Sequence, residues 1–238
     1  MPTVILMAGT GSDDDYLRRA FGPAVTGAGG TLRALAPSAD LLGGYRAELD
    51  AAAAAARAGG ERIVVGGVSL GAVVALDWAL RDGGTVCAGV WAALPPWSGA
   101  PGESLAALSA RLTADTVEQD GLEPAIAGMA AGSPAWLAAE LSRSWRALAD
   151  RDLVGQLRIA ASATAPTVDQ IAGLQVPLAI AAAPDDPLHP IRVAREWAAA
   201  APRAALTEVS LAEFGPDPRR LGDACLAAWH RAGGRTGW

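Results

Sequence analysis

Residues 67–71, Gly67-Val68-Ser69-Leu70-Gly71, join an apolar, β-branched run beginning at Arg62-Ile63-Val64-Val65 directly to a helix-forming stretch. A serine on so sharp a strand-to-helix turn projects its hydroxyl away from the sheet, and a glycine two residues to either side lets strand and helix pack closely around it. Ser69 is therefore the first candidate for nucleophilic chemistry. The same turn puts the Leu70 backbone N–H at a helix N-terminus, where it can stabilise an oxyanion. A serine can also occupy a tight turn merely because it is small, but strand, glycines and helix together favour chemistry.

The elements around this turn alternate. Val4–Met7 reads as a buried strand followed by the glycine-rich turn 8–12, with Ser12 as the expected N-cap of the next helix and Asp13, Asp14 and Asp15 complementing its dipole. A strand is expected over 31–36, an alanine-rich helix over 44–58 ended by Gly59-Gly60, a strand over 62–66, a helix over 70–81 and a strand over 85–92. Between 98 and 165 the strand pattern gives way to helical segments near 103–113, 122–131, 134–149 and 150–161. A strand over 175–182, a helix over 190–201 with proline at its first position, a strand over 205–211 and a helix over 217–231 complete the chain. Such alternation predicts an α/β fold: a mostly parallel sheet flanked by helices, with Ser69 at its carboxyl edge. Residues 1–97 and 166–238 form the expected core, and 98–165 an inserted helical cap.

Composition narrows the chemistry. The chain has 238 residues, is 51% hydrophobic and carries a net charge of −6, which suits one domain with a large core. Its nineteen cations are all arginine and are scattered, an arrangement unlike a nucleic-acid or anionic-membrane surface. A small-molecule partner is expected, and the oligomeric state is open. The absence of lysine excludes Schiff-base chemistry and a phosphate-loop lysine. Cys87 and Cys225 read as buried free thiols of a reducing compartment. The amino-terminal residues show neither a secretory leader nor a spanning segment, so a cytoplasmic location is expected. With His189 and His230 the only histidines, and without a ligand cluster, neither a metal nor another cofactor is expected.

On the elbow and the strand-helix alternation, the chain resembles the α/β-hydrolase superfamily over nearly its whole core. The resemblance implies Ser69 as nucleophile. It places the acid in the segment Ala183-Pro184-Asp185-Asp186-Pro187-Leu188-His189-Pro190, on Asp186 with Asp185 as fallback. The turn Ala8-Gly9-Thr10-Gly11 is similar to the family's His-Gly-x-Gly oxyanion turn, which implies the Thr10 or Gly11 N–H as second donor. One departure is serious: the loop after the last strand, Leu211-Ala212-Glu213-Phe214-Gly215-Pro216, lacks the family's catalytic histidine.

A serine without an adjacent base is a weak nucleophile. His189, three residues beyond Asp186 at the same sheet edge, is the nearby replacement, and an ordinary imidazole titrates at ~6.5, suited to general-base work. It could equally cap the helix that starts at Pro190, and both roles stay open on sequence. His230 and Glu213 read as a helix-surface histidine and a solvated loop acid. Trp97 and Trp136 flank the expected entrance, and a cap of Ala, Leu and Trp suggests an apolar substrate pocket. Trp136 and Trp145 need not share a helix face, and Arg143 and Arg146 could meet an anion or simply lie on an exposed face. Three functions follow: a serine-dependent hydrolase of an ester, thioester or related acyl compound with an apolar portion; a hydrolase-like lyase, isomerase or cyclase using Asp186 and His189 for proton transfer; or a non-catalytic small-molecule-binding protein.

Overall fold

The computed structural model describes residues 3–235. Six strands, β1 (Thr3–Met7), β2 (Thr31–Leu35), β3 (Ile63–Val68), β4 (Cys87–Ala93), β5 (Leu178–Ala182) and β6 (Ala204–Glu208), form one sheet in the order β2-β1-β3-β4-β5-β6. Every pairing is parallel. The chain leaves β1 toward β2 on one side and β3 toward β4 on the other, so the order reverses between β1 and β3. A crevice opens outside the carboxyl ends of strands at such a point. Met7 pairs with Gly67 and Val68 with Ala93, which brings the ends of β1, β3 and β4 to one level there.

A parallel sheet needs apolar cover on both faces, and side-chain alternation supplies it. Ile5, Met7, Val65, Val90 and Ile180 pack toward α2 (Leu41–Gly59), α3 (Leu70–Asp82) and α9 (Ile191–Ala200). Val4, Leu6, Val64, Trp91 and Ala181 pack toward α1 (Asp14–Gly27) and α11 (Arg219–Arg231). Between β4 and β5 the chain inserts α4 (Leu105–Asp120), α5 (Leu122–Ala131), α6 (Ala135–Leu148), a 3-10 turn over Ala149–Arg151 and α7 (Leu153–Ser162), with a small core of their own around Ala114, Ile126, Trp145, Leu148 and Leu157. The insertion's two ends are tied together, because Gly99 N–H donates to Pro166 O and Ala165 N–H to Gly99 O. Trp97 Nε1–H donates to Ala163 O at 3.1 Å, and Trp197 Nε1–H to Ser98 Oγ at 2.9 Å.

Several boundaries differ from the sequence expectation for local reasons. Asp13, not Ser12, caps α1, its carboxylate accepting the Tyr16 N–H. Asp40 caps α2, which starts at Leu41 rather than 44. Strand β4 starts at Cys87, because the Val86 and Cys87 N–H groups are taken by the Asp82 carboxylate. Strand β5 starts after Pro177, and Pro190 is the N-cap of α9 rather than its first residue. The short helix α8 (Val168–Ile171) carries a capping box of Thr167 and Gln170 that the sequence reading lacks. Strand β6 stops at Glu208, and the following loop turns into α10 (Leu211–Phe214) with a second capping box, Ser210 and Glu213. Among the described residues no helix is long and apolar enough to cross a membrane.

Candidate active site

Ser69 sits between β3 and α3 with φ 53° and ψ −113°, a region a side chain enters only under strain from its surroundings. Those surroundings explain the flanking glycines. A Cβ on Gly67 would stand 2.6 Å from the Gly71 carbonyl carbon, and one on Gly71 would stand 2.7 Å from the Met7 carbonyl carbon. The strand, the helix and β1 therefore meet with no room for a methyl group. Ser69 N–H donates to Ala93 O at 2.8 Å, and Ser69 O accepts from Ala72 and Val73 N–H, so the backbone at the elbow is held on both sides.

His189 occupies the loop after β5 and completes a continuous chain of hydrogen bonds. Its Nε2 lies 2.9 Å from Ser69 Oγ, and its Nδ1 lies 2.7 Å from Asp186 Oδ2. The other carboxylate oxygen, Oδ1, accepts from Leu188 N–H at 2.8 Å and His189 N–H at 3.2 Å. Burial pushes the Asp186 carboxyl up, but the hydrogen bond and charge of His189, with the two backbone donors, outweigh it and hold the group below the ordinary carboxylate range. A carboxylate fixed by three donors keeps its charge beside the imidazole and selects the tautomer with the proton on Nδ1. Nε2 is then free to accept the proton of Ser69.

Of the two roles open to His189, the structure places its ring on Ser69 and Asp186, while α9 has no side-chain cap. Asp185, the fallback acid, points elsewhere: its Oδ1 accepts the Leu211 N–H at 2.8 Å and anchors α10. Glu213 is committed to Ser210, and His230 lies exposed on α11.

The turn after β1 packs against the elbow. A Cβ on Gly9 would stand 3.3 Å from Ser69 Cβ. Ser12 N–H closes the turn onto Gly9 O at 3.1 Å, with Gly11 at φ 71°. Thr10 and Gly11 are thus its central residues. Leu70 is the first residue of α3, so its N–H has no acceptor within the helix. The three N–H groups expected as oxyanion donors therefore belong to the two turns that meet at Ser69.

The remaining expectations fall as follows. Trp97 is buried among residues of the α2/α3 face, its indole N–H engaged by Ala163. Trp136 is half-buried and meets Phe214 edge-on, ring centroids 6.0 Å apart, which joins α6 to α10 in the loop after β6. Arg143 and Arg146 both have carboxylate partners, Asp13 with Glu140 and Glu123 respectively. Burial raises both cysteine thiols, Cys87 to about 12. Among the described residues no group of three or more His, Cys, Asp or Glu side chains is placed to hold a metal ion. Leu94, at the end of β4, is a strained residue that sequence reasoning missed: its φ is 51° although it precedes a proline, which favours extended backbone. A cavity of about 330 Å³ between α2, α3 and α7 is lined by residues including Leu42, Arg46, Asp77 and Ile159 and not by Ser69. The hydrogen-bonded cluster, rather than that cavity, marks the candidate site.

The strand order, the elbow and the helical insertion after β4 together define the α/β-hydrolase fold. Known structures agree: the esterase EaEST from Exiguobacterium antarcticum matches with a TM-score of 0.73 at 12% identity, over 95% of this chain and 91% of that one. MenH from S. aureus matches at 0.70 and 15% identity over 98% and 94% of the two chains, and a hydrolase from Pseudomonas aeruginosa at 0.69 and 20% over 95% and 89%. At these identities the likeness is one of fold. No protein-family model and no curated protein matches the sequence.

Proposed function

We propose that the protein is a serine-dependent hydrolase of an ester, thioester or related acyl compound with an apolar portion. The observation that carries this is the chain Ser69 Oγ, His189 Nε2, His189 Nδ1, Asp186 Oδ2, with links of 2.9 and 2.7 Å. In this reading Ser69 Oγ attacks the acyl carbon as its proton passes to His189 Nε2. Asp186 stabilises the imidazolium, and the Leu70 N–H with the Thr10 or Gly11 N–H receives the oxyanion. The bond to the leaving group breaks and His189 protonates that group. Water, deprotonated by His189, then attacks the acyl-serine; the acyl-oxygen bond to Ser69 breaks, Ser69 recovers its proton, and the acid leaves.

The helical insertion serves as the cap, with Trp136 on its α6 end closing one side of the entrance by its contact with Phe214. The alanine- and leucine-rich character of this segment favours an apolar acyl or alcohol part. The esterase and hydrolase names of the structural neighbours are in keeping with this chemistry. A lyase, isomerase or cyclase reading with Asp186 and His189 in proton transfer rests on the missing histidine after the last strand; the 2.9 Å link of His189 to Ser69 supports acyl transfer over it. Hydrolysis of short aryl esters tests the proposal: activity lost in both Ser69→Ala and His189→Ala supports it, and activity unaltered by either substitution overturns it.

A further inference from the structure

We propose that Ser144, on α6 of the insertion, is a positioning residue for the oxyanion turn, an inference that rests on the acyl-transfer reading above. Ser144 is fully buried, and its hydroxyl donates to the Gly11 carbonyl at 2.6 Å across 133 residues of sequence. The same hydroxyl has a weaker acceptor in its own helix, Leu141 O at 3.3 Å, so the contact with the turn holds the shorter bond.

The consequence follows from turn geometry. The Gly11–Ser12 peptide is held at both ends, its N–H by Gly9 O and its carbonyl by Ser144. Gly11 in the left-handed region sets which way the preceding Thr10–Gly11 peptide faces, and the bond from Ser144 sets where the turn that carries that peptide stands relative to Ser69. A shift of the turn would carry the Gly11 N–H off the point where the oxyanion needs a donor. Two neighbours of Ser144 brace the same turn. Trp145 Nε1 stands 2.7 Å from where a Gly11 Cβ would be, buried and without a hydrogen-bond partner. The indole therefore fills the space beside Gly11, and a side chain at position 11 would collide with it. Arg143 grips Asp13, the cap of α1, with two bonds of 2.8 Å. Arginine and carboxylate in this fork geometry fix orientation as well as distance. The insertion thus shapes the donor side of the site from behind.

The test compares wild type, Ser144→Ala and Ser144→Thr for kcat and KM on an aryl ester, for inhibition by a trifluoromethyl ketone, and for fluorophosphonate labelling, with thermal melting as the check of folding. Losing an oxyanion donor outright costs about 100-fold or more, so a donor that is present but misaimed is expected to cost at least about tenfold in kcat, with KM nearly unchanged. The ketone, whose tetrahedral adduct uses the same donors, should weaken by a similar factor, the pH profile should keep its shape, and Ser144→Thr should recover most of the loss. A folded Ser144→Ala with wild-type kcat and ketone affinity overturns the role of Ser144 alone. A wild type inert to both ester and fluorophosphonate overturns the acyl-transfer reading, and this proposal with it.

Discussion

Asp186→Asn is the substitution whose effect the geometry specifies most closely. The two oxygens of Asp186 have different duties: Oδ1 accepts two backbone N–H groups, and Oδ2 accepts His189 Nδ1. An asparagine there must choose which end faces which partner. Turning its amide nitrogen toward Leu188 and His189 N–H sets a donor against two part-buried donors, which lose their acceptor at a cost of about 1 kcal/mol each. Turning it toward His189 leaves both backbone bonds intact and asks only that Nδ1 become an acceptor. The second arrangement is favoured, and it moves the imidazole proton to Nε2, where it blocks acceptance of the Ser69 proton. The fold should survive, with a loss of about 1–2 kcal/mol for exchanging charged for neutral hydrogen bonds. Catalysis should not: a triad trapped in the wrong tautomer loses about 10⁴-fold in kcat, or about 5.4 kcal/mol of transition-state stabilisation. Initial rates on an aryl ester, with melting curves alongside, measure both quantities. Asp185→Asn is the matched control, because that carboxylate serves α10 and should leave kcat at its wild-type value. A folded Asp186→Asn keeping more than a tenth of wild-type kcat would refute the assignment of the acid.

Gly71→Ala should destabilise the protein by about 2–4 kcal/mol in urea titrations, because its Cβ would meet the β1 backbone, which cannot retreat from the sheet. Ser69→Gly should abolish ester hydrolysis yet raise the melting temperature, since glycine relieves backbone strain of about 1–3 kcal/mol at a smaller entropic cost. Asp13 and Asp186 are both held below the ordinary carboxylate range, each against the upward push of burial: Asp13 by Arg143 and the Tyr16 N–H, Asp186 by His189 and two backbone donors. A depressed folded pKa contributes stability that is complete above the unfolded value and is lost as pH falls through the folded one. Below about pH 4, Asp13→Asn should therefore lose stability less steeply than wild type in acid unfolding followed by circular dichroism; an equal slope would count against the Arg143–Asp13 clamp.

The sheet and its order of strands and helices are legible in the sequence because buried parallel strands and alanine-rich helices differ in period and in punctuation. The elbow is legible for a steric reason, since Gly67 and Gly71 stand where strand, helix and the β1 backbone leave no room for a side chain, and their spacing around Ser69 is local in sequence. His189 is only half legible. Its distance in sequence from Asp186 brings both to one loop but does not say which way the ring points, and that direction decides between a base and a helix cap. The contacts of Ser144, Trp145 and Arg143 with the turn after β1 have no local signature at all. They join residues some 130 positions apart, and each residue taken alone reads as an ordinary member of an amphipathic helix. Trp97 shows the opposite case: at the close of a core strand it is expected to flank the entrance, while its buried indole donates to Ala163 O. The cap of α1 falls on Asp13 rather than Ser12, and the same carboxylate is held by Arg143 from the insertion, a contact with no local signal in sequence.

The most direct measurement is the mass of the intact protein after brief exposure to a fluorophosphonate, followed by fragmentation of the labelled peptide. One adduct per chain is expected, on Ser69, formed slowly or not at all in His189→Ala. Folded protein that gains no adduct, or gains it on another residue, would contradict a hydroxyl at position 69 made nucleophilic by the imidazole beside it.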